Sequence, residues 1–404
     1  MRILHTADWH LGKHLDGASR LEEQEAFLAD FIALTQDQKI DLIIIAGDVY
    51  DASNPPSKAE ALFYDTLKAL SKDGERMTIV VSGNHDSPER LVAAGPLARD
   101  HGIVMVGTPK TVIETGKYGQ NEIIASGEGF IEVEINGERA VILTVPYPSE
   151  KRLNEILYKD GDSDAERLTS YTDRITELFQ TLGAHFRVDT INLVVSHLFA
   201  MGSVEAGSER SIQLGGSYII DGSCFPKEAQ YIALGHVHKP QFVPGTDKRA
   251  RYSGSPLHYN KKEISSAKQC LLVELTPGAV AKVTELPIPI YKPIEIWKCK
   301  GVAEAIAMVA LNSERSCWVY LEIETDVYIR EDEIKQIKSL KKDVLEILPI
   351  LTTVTSTAEA EQMQAFAEKT FPEHFQDFYL KERGLAPTED LVHYLLTILE
   401  EVSE

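Results

Sequence analysis

Five short runs carry the residue types of metal chemistry: Asp8-Trp9-His10, Gly47-Asp48, Gly83-Asn84-His85-Asp86, Ser196-His197 and Gly235-His236-Val237-His238. Carboxylates, one amide oxygen and imidazoles form a mixed nitrogen and oxygen donor set without sulfur. Such a set suits manganese, iron or zinc, and calcium less well. Asp8, His10, Asp48, Asn84, His197, His236 and His238 are more ligands than one tetrahedral ion takes. Two ions bridged by one carboxylate would use them all. Such a pair, roughly 3.5–4 Å apart, cancels phosphodiester charge and makes a nucleophile of water, so no serine or cysteine nucleophile is needed. A histidine beside it can protonate the leaving oxygen. Taken singly, each run reads as a turn, a cap or a satisfied core histidine. Their joint order and placement point to one site.

Each run follows a segment that reads as a strand. Arg2–Thr6, Leu42–Ala46 and Met77–Val81 are short apolar runs, and Glu22–Lys39 and Ser57–Lys72 between them have helical spacing. This β-α-β-α-β order predicts neighbouring parallel strands with right-handed crossovers. Ligands gather outside the carboxyl ends of such strands, so the runs are expected to converge. Asp8 and His10 stand two apart, as do His236 and His238; on an extended backbone each pair points to one side. Glu122–Ile135 and Ala140–Val145 alternate like antiparallel strands around Asn136-Gly137. The stretch from Leu168 to Leu182 reads as a helix, and Thr190–Val195, Tyr231–Leu234 and Cys270–Glu274 as strands. Pro277-Gly278, Pro287, Pro289 and Pro293 put a boundary near 277–290. A small α+β unit follows, with a helix at Ala303–Leu311, a strand at Trp318–Ile323 and a helix at Asp332–Ile347.

The motif order resembles that of the calcineurin-like metallophosphoesterases. More narrowly, Ile3–Lys13, Ile45–Asp51 with Pro55-Pro56 behind it, and Tyr231–His238 are similar to the SbcD family, the nuclease subunits of bacterial SbcCD complexes. Ser208–Pro226, with Gly215-Gly216-Ser217-Tyr218, resembles that family's loop between metal histidines. Trp318–Leu340, with Glu322-Ile323-Glu324-Thr325-Asp326, resembles its capping domain. The likeness covers about residues 1–350 and runs more loosely to the end. It implies an α/β fold: a metallophosphoesterase β-sandwich flanked by helices, with a small α+β capping domain and C-terminal helices. The implied parts are a nuclease domain at 1–280, a DNA-positioning cap at 281–355 and a partner-binding helical segment at 356–404.

The same resemblance implies residue roles. Asp8, His10 and His238 would hold the first ion, Asn84, His197 and His236 the second, and Asp48 would bridge them. The pair would be divalent, with manganese foremost. His85 would act on the phosphate as acid or transition-state stabiliser; the bland alternative is a hydrogen bond that holds its turn. Asp86 would orient an imidazole from behind. Archaeal and eukaryotic relatives carry a second histidine where this chain has Asp51, so that histidine's role does not transfer and Asp51 is expected to act from behind a ligand. Tyr252, Ser253, Gly254 and Ser255 match a loop beside the substrate backbone, where hydroxyls and amides could meet phosphate. The activity implied is metal-dependent DNA cleavage: exonucleolytic on duplex ends, endonucleolytic on hairpins and single strands. It would serve end processing, recombination, repair and replication, with ATP entering only through the SbcC partner.

Composition bears on that reading. The 404 residues include 41 basic and 62 acidic side chains, a net charge of −21. A bare surface of that sign repels polyanions, so DNA binding calls for bound cations, a local basic groove or a basic partner. The N-terminus has no signal-peptide pattern and no apolar run is of membrane-spanning length, so a cytoplasmic location is expected. Cys224, Cys270, Cys299 and Cys317 stand far apart, which argues against disulfides and a thiolate zinc site. Near the C-terminus, Phe375, Phe378 and Tyr379, then Leu391, Leu395 and Ile398, form apolar stripes. They would suit docking of a helix into a groove of SbcC, or packing on the cap. The family also forms a homodimer, within a heterotetramer, and Phe31, Phe63 and Tyr64 exceed what one helix stripe must bury. Two rivals remain. A phosphatase or small-molecule phosphodiesterase shares the metal motifs, although Asp51 is followed by Ala52-Ser53 and not by the Arg-Gly of protein phosphatases. A vestigial scaffold would not be expected to keep all seven ligand types and His85.

Overall fold

The structure is a computed structural model that describes residues 1–155, 164–209, 219–351, 371–383, 386–388, 391–392 and 394–395. The chain forms two compact units. One comprises Met1–Ile296, Glu314–Tyr320 and Lys342–Glu346; the other comprises Trp297–Ser313, Leu321–Lys341 and what is described from Ile347 onward.

The first unit holds two sheets. Its six-stranded sheet runs in the order Lys282–Pro287, Gln269–Glu274, β1 (Arg2–Thr6), β2 (Leu42–Ala46), β3 (Met77–Val81), Ile103–Val106. β1, β2 and β3 pair in parallel, with Leu4 opposite Ile43 and Ile44 opposite Ile79. The eight-stranded sheet has β4 (Ile191–His197) and β5 (Tyr231–Gly235) as parallel neighbours. On its other side β4 pairs in parallel with Glu138–Val145.

Alternation of side chains along the strands explains the layering. Ile3, Ile44, Ile79 and Val104 of one sheet share a buried core with Val133, Ile142, Leu193 and Ala233 of the other. The opposite face of the first sheet, with Leu4, Ile43 and Val80, packs on α1 (Leu21–Asp37) and α2 (Ser57–Ser71) through Phe27, Phe31 and Phe63. Val141, Leu143 and Val194 of the second sheet pack on Tyr171, Ile175 and Phe179 of α3 (Asp164–Gly183). A strand buried on both faces needs apolar residues at every position, which β2 has. The result is a β-sandwich flanked by helices.

Three expectations are corrected. Glu122–Ile135 is a hairpin of two strands, Asn121–Gly127 and Phe130–Ile135, because Gly129 takes a positive φ of 76° and turns the chain. The Asn136-Gly137 turn stands, with both residues at positive φ as a two-residue hairpin requires. The helix expected at Asp332–Ile347 spans Glu331–Leu340 and gives way to a strand, Val344–Leu351. Pairing beside Trp318–Thr325 overrides the helical spacing of that stretch. Phe31 and Phe63 are buried within the chain, so of the three aromatics read as spare only Tyr64 is exposed.

The second unit contains the helices Val302–Leu311 and Glu331–Leu340. The helix Phe371–Arg383 carries the first apolar stripe: Phe378 is exposed, Phe375 and Tyr379 are half-buried. Leu391 and Leu395 are half-buried; Ile398 lies outside the described residues. No helix among the described residues is long and apolar enough to cross a membrane.

Candidate metal centre

Five ligand-bearing runs leave the carboxyl ends of β1, β2, β3, β4 and β5, so one edge of each sheet contributes. Two glycines let the edges close up. A Cβ on Gly235 would lie 1.9 Å from the Ala46 carbonyl oxygen and 2.8 Å from His197 Nδ1. A Cβ on Gly83 would lie 2.1 Å from Asp48 Oδ1 and 2.2 Å from the Asp48 nitrogen. Backbone cannot yield to such contacts, so only glycine fits.

Asp8 and His10 share a side as expected, but not through extended backbone. Both take positive φ, 55° and 44°, and His236 has a φ of 102°. Their amides are tied across to the β2 loop: Asp8 N–H donates to Gly47 O and His10 N–H to Asp48 O, each at 3.0 Å. Trp9 between them is turned away into the helical layer, in edge contact with Phe27, Phe31 and Phe63. It serves as the anchor that aims its neighbours at the centre.

Donor atoms of the candidate ligands converge in two groups, and His10 also groups with Asp51 and His85. Asp8, His10 and His238 form the first, and Asp48, His197 and His236 the second; all six are buried. In the first, His10 Nε2 and His238 Nε2 stand 3.0 Å apart, and Asp8 Oδ2 is buried without a hydrogen-bond partner. In the second, Asn84 Oδ1 lies 2.9 Å from both His197 Nε2 and His236 Nδ1. Asp48 Oδ2 sits between the groups, 3.6 Å from His10 Nε2 and 3.4 Å from His197 Nε2. Its other oxygen accepts the His85 N–H at 2.9 Å. Bare imidazole nitrogens crowded together, and a carboxylate oxygen shared between two sets, are what a cation pair satisfies and protein hydrogen bonds do not. The residues fit two divalent ions.

Electrostatics agree. Burial lowers the pKa of His10 to about 4 and of His236 to about 3, and holds His238 well below its usual value, so these imidazoles are neutral and able to ligate. Burial lifts Asp8 to about 8, against the pull of His197 and with the push of Asp48. Burial works against charge on His197 too, but Asp48 and Asp8 outweigh it and raise the imidazole to about 9. Burial would also raise Asp48; His197, His85 and His10 outweigh it and hold the carboxyl well below the carboxylate range. Positive charge is in demand here, and a pair of cations would supply it.

The residues around the ligands are equally placed. His197 Nδ1–H donates to the Ala46 carbonyl at 2.9 Å, which leaves Nε2 for the centre. Asp51 Oδ1 is 3.3 Å from His10 Nδ1 and accepts from Lys13 Nζ at 2.6 Å, so it stands behind the His10 ring. His85 Nδ1–H donates to the Asp51 carbonyl at 2.7 Å, and its Nε2 points to the centre, 3.9 Å from Asp48 Oδ2.

Two readings are corrected. Asp86 orients no imidazole among the described residues; it accepts the amides of Gly83, Tyr50 and Val49 at 2.8, 3.0 and 3.2 Å. It pins the β2 and β3 loops together. Tyr252, Ser253, Gly254 and Ser255 are buried. Tyr252 OH bridges Leu198 O and the Ala200 amide, Ser253 Oγ donates to Gly254 O, and Ser255 Oγ donates to Leu257 O. A packed loop with its hydroxyls engaged does not present them to a phosphate. Of Ser208–Pro226, residues 210–218, including Gly215-Gly216-Ser217-Tyr218, lie outside the described residues.

Other contributors had no sequence signal. Arg152 donates to Gly83 O and Asp86 O, both at 2.7 Å, and so steadies the turn that carries Asn84 and His85. Tyr147 and Phe199 flank His236, with ring centroids 6.4 and 6.2 Å away. Ser208 Oγ lies 2.5 Å from His238 Nδ1, and Glu209 Oε1 accepts the His238 amide at 2.9 Å.

Residues 1–240 match the family described as calcineurin-like phosphoesterase, and residues 290–383 match the family described as type 5 capsule protein repressor C-terminal domain. The chain is 36% identical over 406 residues to a protein of Bacillus subtilis (strain 168) named as the SbcD component of the nuclease SbcCD, covering 100% of this chain and 99% of that protein. Proteins of the same name from Rhodobacter capsulatus and Escherichia coli K12 are 33% and 28% identical. The first match covers 72% of this chain and 70% of that protein, the second 99% and 98%.

Proposed function

The chain belongs to the calcineurin-like phosphoesterase family, among the SbcD-type nuclease subunits, and from that premise we propose that it is a metal-dependent nuclease acting on DNA with an SbcC partner. The observation that carries the reading is Asp48 Oδ2 between two histidine groups, 3.6 Å from His10 Nε2 and 3.4 Å from His197 Nε2. Asp8, His10 and His238 would hold one ion, Asn84, His197 and His236 the other, and Asp48 both. Two such ions supply charge neutralisation at a phosphodiester and a nucleophile from water at neutral pH. Manganese suits the donor set.

The chain's own residues do the rest. Asp48 is held by the His85 amide so that its free oxygen faces the centre. His85 is fixed through Nδ1–H to the Asp51 carbonyl, which leaves Nε2 to carry a proton to the departing alkoxide. Asp51 and Lys13 hold the His10 ring. Ions held by these residues would also reduce the conflict between a net charge of −21 and a polyanionic substrate.

In this reading residues 1–280 carry catalysis, 281–355 cap the DNA, and 356–404 dock on SbcC. ATP enters through SbcC, the assembly contains two copies of each protein, and the complex works in the cytoplasm in recombination, replication and repair. The test is cleavage of linear duplex and hairpin DNA in manganese, with and without SbcC and ATP. A phosphoserine peptide and a cyclic nucleotide serve as rival substrates. The expected result is DNA cleavage that excess EDTA abolishes, with His85→Ala keeping its metal and losing hydrolysis. Full activity in EDTA, or wild-type rates in the His85 variant, would refute it.

A further inference from the structure

We infer that Ser208, Glu263 and Lys268 lock the tautomer of His238 and thereby set the affinity of the first ion. The inference rests on the two-ion reading and deepens it.

The lock is read from donor and acceptor logic. Lys268 and Glu263 are buried together, with side chains 1% and 0% exposed and Nζ 2.5 Å from Oε2. Lys268 Nζ also donates to Ser255 Oγ at 2.8 Å and to the His238 carbonyl at 3.2 Å. An ammonium only donates, so Glu263 beside it is an ionised acceptor. The other oxygen of Glu263 accepts the Ser208 hydroxyl and, at 3.3 Å, the Tyr259 amide. Ser208 has a single proton, and a carboxylate has none to offer, so that proton goes to Glu263. Ser208 Oγ then faces His238 Nδ1 as an acceptor at 2.5 Å. His238 must carry its hydrogen on Nδ1, and Nε2 is left bare. That bare atom is the one 3.0 Å from His10 Nε2.

The backbone of His238 is held as well. Its amide donates to Glu209 Oε1 at 2.9 Å, and its carbonyl accepts the Ser255 amide at 3.1 Å. Among the described residues, no hydrogen bond of Ser208, Glu263 or Lys268 goes to Asn84, His197 or His236, and the Ala46 carbonyl plays the corresponding part for His197. The lock therefore acts directly on the first ion, and on the second only through the shared Asp48. A purely structural ion pair would act on stability and on both ions alike.

Glu263→Gln is the informative change. Lys268 needs an oxygen opposite it, so the amide nitrogen would face Ser208. Ser208 would then accept from the amide and donate to His238 Nδ1, driving the hydrogen to Nε2. The experiment is calorimetric titration of the full chain with manganese, beside thermal unfolding of the metal-free protein. Glu263→Gln is expected to weaken one of two sites by about ten- to a hundredfold, the usual scale for groups behind a metal ligand, with the other affected less. Ser208→Ala, at a half-buried position that leaves the ion pair intact, should weaken the same site, and Ser208→Thr should restore it. Unchanged affinities, or both sites weakening together in step with lost stability, would overturn the lock. A wild-type chain that binds no manganese would overturn the two-ion reading and the lock with it.

Discussion

Replacing Asp86 by alanine separates a group that builds the centre from one that reacts in it. Asp86 is 2% exposed and accepts three amides from two loops, those of Gly83, Tyr50 and Val49. Alanine leaves three buried N–H groups without acceptors. Each costs about 1–3 kcal/mol, so the sum is roughly 3–9 kcal/mol. Water entering the space of the lost carboxylate recovers part of this, which puts the expected loss near 4–5 kcal/mol. That is a large share of the roughly 5–15 kcal/mol typical of a domain. Asparagine has nearly the same shape and keeps one acceptor oxygen. If that oxygen stays on Gly83 and Val49, only the Tyr50 amide is lost, at about 1–3 kcal/mol. Asp48 and Asn84 ride on the two loops, so saturating manganese should restore much of the stability of the asparagine variant. The assay is urea unfolding of wild type and both variants, with and without manganese, read as midpoint and slope. An alanine variant within about 1 kcal/mol of wild type that binds manganese normally but hydrolyses nothing would refute the argument and make Asp86 a reacting group.

Three further outcomes are expected. Gly235→Ala places a carbon 1.9 Å from Ala46 O; the two sheet edges must part, and the second group should lose its ion in a manganese titration even if the chain still folds. Phe378→Asp, at an exposed position of the helix Phe371–Arg383, should abolish co-purification with SbcC and leave the melting temperature unchanged. His5 is buried against Tyr231, and burial lowers its pKa to about 3. Between pH 6.5 and about 3 the unfolded chain binds a proton at His5 that the folded chain refuses, so stability falls on acidification. The slope contributed is about 1.4 kcal/mol per pH unit, and the difference in stability between wild type and His5→Leu should carry it in denaturant titrations at pH 6, 5 and 4.

The metal centre also bears on the charge of the chain. Four cationic ion charges would enter among Asp8, Asp48 and Asp51, where the acidic side chains would otherwise repel a phosphate backbone. Electrostatic steering of DNA would then be strongest at the place of reaction, and loss of metal should weaken binding as well as cleavage.

The candidate ligands were legible in the sequence because their runs sit at strand ends, and strands declare themselves locally. Leu42–Ala46 is apolar at every position, as burial on both faces demands, and Gly47-Asp48 marks where it ends. The helical spacing of Glu22–Lys39 and Ser57–Lys72 told equally well which layer covers them. Other features depend on residues distant in the chain. The left-handed backbone at Asp8 and His10 is imposed by hydrogen bonds to Gly47 and Asp48. The helix expected to run to Ile347 ends early because a strand partner waits at Trp318–Thr325. Tyr252 to Ser255 looked like a phosphate loop until packing closed over it. Glu263 and Lys268 are ordinary charged residues in the sequence; only burial beside His238 gives them a task. Local periodicity is set by the chain's own neighbours, whereas burial, tautomer and the choice of hydrogen-bond partner are set by whatever the fold brings alongside.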